Sequence, residues 1–227
     1  MAQWFRYGWA ITVALLACAS AIAQPAAPAR IRLIAINDFH GHLEPGENTI
    51  DVRDPQDPAR TVPLRVGGAA HLATLIARLR AEQPDAVVVS SGDRIGASPL
   101  ISGLFRDEPT IEVMNTIGLD LNGLGNHEFD RGISELRRVA RGGCARDQAD
   151  HRQSCARGSY GGARFPFIAA NVLERGSGRA AFDPTLVKTI DGVKIGFVGA
   201  VTRATPGIVV PSGVAGLRFR SEAPALN

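Results

Sequence analysis

The amino-acid sequence predicts an α/β layered fold in which strands and helices alternate along the chain. Short apolar runs typical of buried strands recur, and stretches in which apolar residues follow the helical period separate them. Three of these apolar runs end directly in a group of polar residues. Because the loops at the carboxyl ends of such strands gather into one crevice, the sequence also predicts a single polar site there.

The predicted strands are short and mostly apolar, and the continuous apolar run at 86–90 is typical of a strand covered on both faces. Four of them are residues 31–37, 86–90, 121–124 and 167–170. Val187 to Ile190 and Val193 to Gly199 are predicted to form a β-hairpin, because Asp191-Gly192 between them is a strong turn signal. No element is assigned after Ala200, where glycine and proline interrupt the pattern.

Each predicted helix carries one apolar stripe. The first covers residues 72–79 and ends before Pro84, the second covers 110–117 and stops at Gly118, and the third covers 131–141 and closes at Gly142-Gly143. A shorter helix is predicted to open at Ser98-Pro99. The segment from Glu44 to Arg65 is rich in proline, aspartate and arginine, lacks periodicity, and is predicted to be a surface excursion.

The composition is that of a globular protein. The chain has 227 residues, of which 45% are hydrophobic and 21% are charged, so it can bury a core. The net charge of +3 comes mainly from scattered arginines; it weakly permits an anionic substrate, but an ordinary arginine-rich surface explains it better. No basic cluster is interleaved with aromatic residues, which argues against a nucleic-acid polymer as partner.

The first 23 residues are predicted to be a secretory signal peptide. Arg6 places a positive charge before the apolar run Trp9–Ala17, which is too short to span a bilayer. Ala21-Ile22-Ala23 then has the small-x-small form of a cleavage site. Residues 24–30, rich in proline and alanine, follow as a flexible leader. The protein is therefore predicted to be periplasmic or secreted, without stable insertion in a membrane.

The three cysteines bear on the same prediction. A competing interpretation makes Leu15-Leu16-Ala17-Cys18 a lipoprotein signal with a lipid anchor at Cys18, although Leu16 fits that pattern poorly. Loss of Cys18 with the signal leaves Cys144 and Cys155 in a loop rich in glycine and arginine, which indicates a local disulfide in an oxidising compartment. A zinc site on these two cysteines and His151 is the alternative, but no fourth ligand is nearby.

Polar side chains follow three of the predicted strands. Asp38 and His40 come after the first strand, and Asp93 comes after the second. In an extended segment residues two apart point the same way, so Asp38 and His40 can face one metal ion while Phe39 turns to the core. The alternative is an Asx-type turn with an unrelated histidine. His42 is interpreted as a residue that helps to hold this loop, in a structural or a catalytic role.

The third polar loop, Gly125-Asn126-His127-Glu128-Phe129-Asp130, crowds an amide, an imidazole and two carboxylates together. Such crowding costs free energy unless something binds there. His127 and Asp130 are three positions apart, so a helical turn at Glu128 would put both side chains on one side. Glu128 itself is interpreted as a framework carboxylate at a helix start, where the dipole favours it, and not as a ligand.

Together these loops supply carboxylate, imidazole and amide ligands, the set that suits borderline divalent metals such as Zn²⁺, Mn²⁺ or Co²⁺. A single aspartate can bridge two ions about 3.5–4 Å apart, which then hold a hydroxide that attacks phosphorus in line. The sequence therefore favours a site for two divalent metal ions.

Asp38-x-His40, Gly92-Asp93 and Gly125-Asn126-His127-Glu128, in this order, resemble the first three motifs of the calcineurin-like metallophosphoesterases. The longer strings around them are similar to the secreted bacterial 5′-nucleotidase branch, which includes UDP-sugar hydrolases and 2′,3′-cyclic phosphodiesterases. The resemblance runs from Ile31 to the end of the chain. It implies the layered metallophosphoesterase fold, with β-sheets flanked by helices, and metal-dependent hydrolysis of the phosphate esters of nucleotides.

The resemblance also implies roles for single residues. The implied metal ligands are Asp38, His40, Asp93 and Asn126. Among them Asp93 would bridge the two ions, and Asn126 would belong to the second. His127 would stabilise the transferring phosphoryl group or the leaving oxygen, and Asp130 would orient it as a dyad.

One departure from the family pattern concerns histidines. The pattern needs two more, one of them in a Gly-His-x-His or Gly-His-x-Gln motif, but His151 is the only histidine after His127. The family's C-terminal domain, which holds the nucleoside, also has no counterpart. Residues 31–227 are therefore predicted to be the N-terminal part of the catalytic domain, incomplete at the C-terminus and inactive alone. The alternatives are a sulfate thiol esterase type of hydrolase and a non-catalytic metal-binding or interaction fragment.

Overall fold

The computed structural model of the protein describes residues 29–47, 49–146 and 152–227. The predicted signal peptide at 1–23, the candidate lipid anchor at Cys18 and residues 24–28 of the leader lie outside the described residues. Within the described ranges, no helix is both long and apolar enough to cross a membrane. These ranges form a layered α/β structure with a parallel sheet flanked by helices, which confirms the predicted fold class.

Strands and helices alternate along the chain, as predicted. The strands are β1 (Leu33–Ile36), β2 (Thr49–Arg53), β3 (Thr61–Arg65), β4 (Val87–Ser90), β5 (Leu121–Gly123), β6 (Phe167–Ile168), β7 (Val172–Glu174), β8 (Thr185–Ile190), β9 (Val193–Val198) and β10 (Leu217–Phe219). The α-helices are α1 (Gly68–Glu82), α2 (Leu100–Gly103), α3 (Glu108–Ile117), α4 (Gly132–Arg141) and α5 (Glu222–Leu226). Short 3-10 turns cover His127–Phe129, Thr205–Gly207 and Pro211–Val214.

The central sheet is parallel and has the strand order β1-β4-β5-β6. Strands β4, β5 and β6 are mostly buried, and Val88 of β4, opposite Ile34 of β1, is fully buried. In β1, Leu33 and Ala35 are exposed, so the prediction that this strand is buried is wrong for one of its faces. Since all four strands run in one direction, their carboxyl ends lie along the same edge. This edge carries the three polar loops that the sequence singles out.

The helices bury the apolar stripes from which they were predicted. Ile76 of α1, Ile111 and Met114 of α3, and Leu136 and Val139 of α4 are almost completely buried in one hydrophobic core. Burial of each such side chain stabilises the fold by about 1.5–3 kcal/mol. The helical spacing of the apolar residues, and not a capping residue, therefore identifies these helices in the sequence.

Asp120, directly before β5, connects three elements through one carboxylate. Its Oδ2 atom accepts hydrogen bonds from the backbone N–H of Val88 at 2.8 Å and from Arg80 of α1 at 3.0 Å. Its Oδ1 atom accepts a hydrogen bond from the ammonium group of Lys188 in β8. Helix α1, the central sheet and the β8–β9 pair are thus held by a single side chain.

The β8–β9 hairpin is confirmed, with its turn at Asp191-Gly192, where both residues have positive φ. The surface excursion contains a second hairpin, β2–β3, that the sequence did not reveal. Its residues are mostly exposed. Ile50 and Val52 in β2, and Val62 and Leu64 in β3, do alternate with other residues, so the prediction that this segment lacks periodicity is wrong.

Strand β10 is a further element that the sequence left unassigned. It lies beyond Ala200 and pairs with β7 in antiparallel register, with Val172 opposite Phe219. Both strands have only three residues, and they are far apart in the chain. Their pairing is therefore a tertiary contact that no local pattern indicates.

Cys144 and Cys155 form a disulfide, with their Cα atoms 5.4 Å apart. The loop they close is fastened to α3, because Glu108 accepts hydrogen bonds from the Ser154 hydroxyl and the Cys155 N–H, both at 2.8 Å. With both sulfur atoms in the disulfide, the alternative zinc site has no thiolate ligands. His151, its third proposed ligand, lies outside the described residues.

We expect the paired substitution Cys144→Ala and Cys155→Ala to lower the free energy of unfolding by about 2–3 kcal/mol, because the disulfide closes a short loop in the unfolded chain. Urea denaturation monitored by circular dichroism measures this. The wild-type protein in excess dithiothreitol is the control and should match the variant. Equal midpoints for the oxidised wild type and the variant would contradict the expectation.

Candidate metal centre

The loops after β1 and β4 are joined by backbone hydrogen bonds that continue the sheet beyond its strands. The N–H of Asp38 donates to the carbonyl of Gly92 at 3.2 Å, and the N–H of His40 donates to the carbonyl of Asp93 at 2.9 Å. Each loop therefore fixes the path of the other. This pairing brings the predicted metal-binding residues of the two loops side by side.

Asp38, His40 and Asp93 form a group that could hold a metal ion. One ligand atom from each of the three lies within 4.8 Å of the other two. The ring of His40 is oriented by Gly96, whose carbonyl oxygen is 2.9 Å from Nδ1. In a neutral ring that donates Nδ1–H to this carbonyl, the lone pair is on Nε2, which lies 3.8 Å from Oδ1 of Asp38. This tautomer binds a metal ion through Nε2.

The backbone at these three residues is not extended, so the predicted extended segment at Asp38 and His40 is wrong. Asp38, His40 and Asp93 have φ values of 50°, 45° and 51°, in the left-handed region that side chains other than glycine rarely occupy. Such conformations cost roughly 1–3 kcal/mol each and cluster at functional sites. The side chains of Asp38 and His40 lie on the same side of their loop, but tight turns, and not an extended segment, place them there. Phe39 between them is partly buried against the core, as predicted.

Asp93 is the most enclosed carboxylate of the group. Burial raises the pKa of its carboxyl above the usual value; the N–H of His127, which donates to Oδ1 at 2.9 Å, opposes this, and the charge of Glu128 adds to it. A half-buried carboxylate whose charged form is disfavoured is an environment that a bound cation would relieve. The ligand set and this environment both fit a divalent ion.

His127 and Asp130 lie beside the metal group. Residues His127–Phe129 form a 3-10 turn, and the Nδ1 atom of His127 is 2.9 Å from Oδ2 of Asp130. The rings of His127 and His40 meet edge to face with centroids 4.9 Å apart. Burial alone lowers the pKa of the His127 imidazole, but the hydrogen bond to Asp130 and the nearby carboxylates outweigh it and raise the pKa above its ordinary value.

The remaining histidines and Asn126 have different places. Asn126 begins the 3-10 turn next to His127, on the loop whose backbone bonds to Asp93. His42 is exposed at the mouth of a surface cavity that also borders Asp38. His71 is exposed on α1, and its Nδ1 atom is 2.7 Å from the carbonyl oxygen of Gly67 one turn earlier.

Glu128 has a role that the sequence did not predict. It is buried, and it accepts hydrogen bonds from the backbone N–H groups of Asp93, Arg94 and Gly125. It is part of the framework, as interpreted from the sequence, but it joins two loops instead of favouring a helix dipole. The local signal for this contact is that Arg94 and Glu128, of opposite charge, each directly follow a predicted site residue, Asp93 and His127.

Gly92 and Gly125 allow the second and third polar loops to touch. A Cβ atom on Gly92, whose φ is 105°, would lie 2.2 Å from the backbone nitrogen of Gly125. A Cβ atom on Gly125 would lie 2.3 Å from Oδ1 of Asp93. The loops therefore approach more closely than any side chain permits.

We expect Gly92→Ala to destabilise the protein more than Gly143→Ala. Gly143 has a similar φ of 96°, but a Cβ atom there would meet nothing within 4 Å. Gly143→Ala should therefore cost only the left-handed backbone energy of about 1–2 kcal/mol. Gly92→Ala should cost about 1–3 kcal/mol more, because the loops must separate. Chemical denaturation of both variants measures the difference, and equal losses would refute the close approach.

Comparison with known proteins places the chain among phosphoesterases. No protein-family model matches it. It is 46% identical over 165 residues to "Uncharacterized protein in pqq-V 5'region" of Acinetobacter calcoaceticus, covering 72% of this chain and 80% of that protein. It is 34% identical over 197 residues to endonuclease YhcR of Bacillus subtilis, covering 87% and 15%. It is 28% identical over 226 residues to the 5′-nucleotidase of Mus musculus, covering 94% and 33%.

Solved structures agree with this placement. A 5′-nucleotidase precursor from Thermus thermophilus is 25% identical with a TM-score of 0.59, and the match covers 86% of this chain and 32% of that one. The calcineurin-like phosphoesterase YfkN from Bacillus subtilis shares the fold, with 23% identity and a TM-score of 0.61 over 86% of this chain and 55% of that one. The chain thus spans most of the Acinetobacter relative, but only a third or less of the other two relatives.

A parallel sheet with a carboxylate and imidazole group at the carboxyl ends of its strands fits the class of the metallophosphoesterases. The similarities narrow this class. The chain belongs to the calcineurin-like metallophosphoesterases, in the family of the 5′-nucleotidases and 2′,3′-cyclic-nucleotide phosphodiesterases, which confirms the sequence resemblance.

Proposed function

We propose that the protein is a metal-dependent hydrolase of the phosphate esters of nucleotides, of the 5′-nucleotidase type. The observation that carries this proposal is the group of Asp38, His40 and Asp93 within 4.8 Å of one another, bordered by the His127–Asp130 pair. Relatives named as a 5′-nucleotidase and a 2′,3′-cyclic-nucleotide 2′-phosphodiesterase/3′-nucleotidase support the substrate class.

The proposed cofactors are two divalent ions, with Zn²⁺, Mn²⁺ and Co²⁺ as candidates. Asp38 and His40 would hold the first, Asp93 would contact both, and Asn126 would belong to the second. Carboxylate, imidazole and amide oxygen suit these ions, and the Nε2 lone pair of His40 is directed toward the group. When bound, such ions supply Lewis-acid stabilisation of the phosphoryl oxygens and lower the pKa of the attacking water.

The protein's own contribution to the reaction is positioning and proton transfer. Asp130 raises the pKa of His127 and so favours the protonated ring, whose Nε2–H would be available for donation to a phosphoryl oxygen or to the leaving oxygen. Asp130 holds the ring from Nδ1, so that Nε2 points away from the dyad. The 3-10 turn already places the His127 ring beside Asp130, so neither residue would need a change in backbone conformation to act.

Space for the rest of the substrate adjoins the dyad. A cavity of about 560 Å³ is lined by Asp130, Gly96, Arg131 and the apolar residues Ile208 and Val210. Its size is in the range of small-molecule sites, and its walls combine apolar and cationic groups. This suits a substrate that carries an apolar group next to a phosphate.

We also propose that the protein acts in the periplasm or outside the cell. The N-terminal sequence has the features of a signal peptide at residues 1–23, and the Cys144–Cys155 disulfide is suited to an oxidising compartment. Residues 31–227 would then carry the catalytic metal centre.

Chelation tests the proposal directly. We expect the full-length protein to hydrolyse 5′-AMP, to lose this activity after dialysis against EDTA, and to regain it when Mn²⁺ is added. Phosphate release measures the activity, and a mock-dialysed sample is the control. Activity that survives EDTA would contradict metal dependence.

A second candidate substrate class is phosphodiesters. The 34% identity to a protein named as an endonuclease favours it. A panel of 5′-AMP, UDP-glucose, 2′,3′-cyclic AMP and a DNA oligonucleotide separates the classes. A sulfonate substrate in the same panel tests the sulfate thiol esterase alternative, and no turnover of any substrate would favour a non-catalytic metal-binding module.

A further inference from the structure

Glu128 lies buried between the second and third polar loops, and its carboxylate bonds to both. Oε2 accepts hydrogen bonds from the N–H of Asp93 at 2.9 Å and from the N–H of Gly125 at 2.7 Å. Oε1 accepts a third from the N–H of Arg94 at 3.0 Å. One side chain thus bonds to the backbone of the proposed bridging aspartate and to the residue directly before Asn126.

Arg94 completes this arrangement from the other side. Its guanidinium, fully buried, forms an ion pair with Glu128. It also donates to the side chains of Asn122 in β5 and Ser90 at the end of β4, the latter at 2.5 Å. Its Cζ atom lies 5.8 Å from the centre of the Phe167 ring in β6. Arg94 therefore connects three strands of the central sheet to the Glu128 carboxylate.

A buried ion pair of this kind adds little to stability by itself, because both charges must be removed from water. Its directional bonds instead fix geometry. The pair adjoins the metal group, since Arg94 follows Asp93 in the chain and Glu128 accepts the N–H of Asp93. The backbone at Asp93 is held in a left-handed conformation that needs external support.

We propose that Arg94 and Glu128 are positioning residues for the metal centre, which set the distance between Asp93 and the turn that carries Asn126 and His127. This inference rests on the proposed function. In this proposal neither side chain is a ligand of the ions; both act through the backbone and the loops to which they bond. Their effect is to hold the ligands where two ions can share them, in the way that bonded partners of metal ligands generally act.

The test compares Arg94→Met and Glu128→Gln with Arg138→Met as a matched control. Arg138 is also an arginine with little exposure, paired with Glu108 and Glu135, but it fastens the disulfide loop and not the metal loops. Calorimetric titration with Mn²⁺ measures affinity in the full-length protein, and circular dichroism verifies that each variant is folded. Turnover of 5′-AMP is recorded alongside.

We expect Arg94→Met and Glu128→Gln to weaken Mn²⁺ binding about 10- to 100-fold. Arg138→Met should unfold at lower denaturant but bind Mn²⁺ like the wild type. Arg94→Lys, which keeps the charge, should recover part of the affinity. In the double variant Arg94→Met with Glu128→Gln, no buried charge is left unpaired, and the amide oxygen can turn to the N–H groups of Asp93 and Gly125. It should therefore fold even where a single variant does not, and bind Mn²⁺ better than Glu128→Gln alone.

Wild-type affinity in Arg94→Met or in the double variant, with the wild type itself binding Mn²⁺, would overturn the positioning role. A wild type that binds no Mn²⁺ would overturn it too, since there would be no ion to position ligands for. A protein that binds Mn²⁺ but hydrolyses nothing would refute only the proposed function, because the titration still measures the positioning effect.

Discussion

Asp93→Asn is expected to lower kcat/KM for 5′-AMP by more than about 100-fold, beyond the loss usual for a partner of a metal ligand. Asparagine keeps the oxygen that accepts the His127 N–H, so the two loops stay joined. It removes the negative charge that the proposed ions would share. It also tolerates the φ of 51° at this position. The loss is therefore one of charge and not of fold.

Stability separates this expectation from simple unfolding. Because burial disfavours the charged carboxyl of Asp93, the metal-free Asp93→Asn variant should be at least as stable as the metal-free wild type. Asp191→Asn, at the β8–β9 turn with a φ of 49°, is the matched control and should keep full activity. Denaturation without metal and phosphate release with Mn²⁺ measure the two effects. An active Asp93→Asn variant would remove the basis of the proposed function.

His127→Gln is expected to lower kcat by about 10²–10⁴, the usual contribution of a general acid or base. KM and Mn²⁺ affinity should change little, because the backbone N–H that bonds to Asp93 remains. Asp130→Asn should give a smaller loss, since it misorients the ring but keeps the imidazole. Steady-state kinetics with 5′-AMP measures both variants.

The control for His127→Gln is His71→Gln, because His71 is an exposed histidine whose ring bonds only locally, to Gly67 on α1. Its kcat should equal that of the wild type. A large rise in KM for His127→Gln, with kcat unchanged, would show that His127 binds the substrate without taking part in the proton transfer.

The order of elements and the three polar loops can be predicted from the sequence, because helical period, apolar runs and strand-end residues are local properties. Asp38, His40 and Asp93 could be placed together for this reason. Their left-handed backbone could not, because hydrogen bonds between two loops impose it. Nor could the pairing of Arg94 with Glu128, which are 34 positions apart and meet only when the sheet has formed.

The strands that were not predicted from the sequence can also be explained in physical terms. β2 and β3 carry a short apolar alternation, but each has only five residues and they lie in a segment rich in proline, aspartate and arginine, which favoured the prediction of a loop. β7 and β10 are three-residue strands whose partners are set by the fold around them.

Asp120 is expected to couple the partial unfolding of helix α1, strand β4 and strand β8. Since its carboxylate bonds to α1, to β4 and to β8 at once, opening any one of the three breaks a bond to this shared side chain. We therefore expect the helix and the hairpin to be coupled, with amide hydrogens in both exchanging with solvent through a common opening.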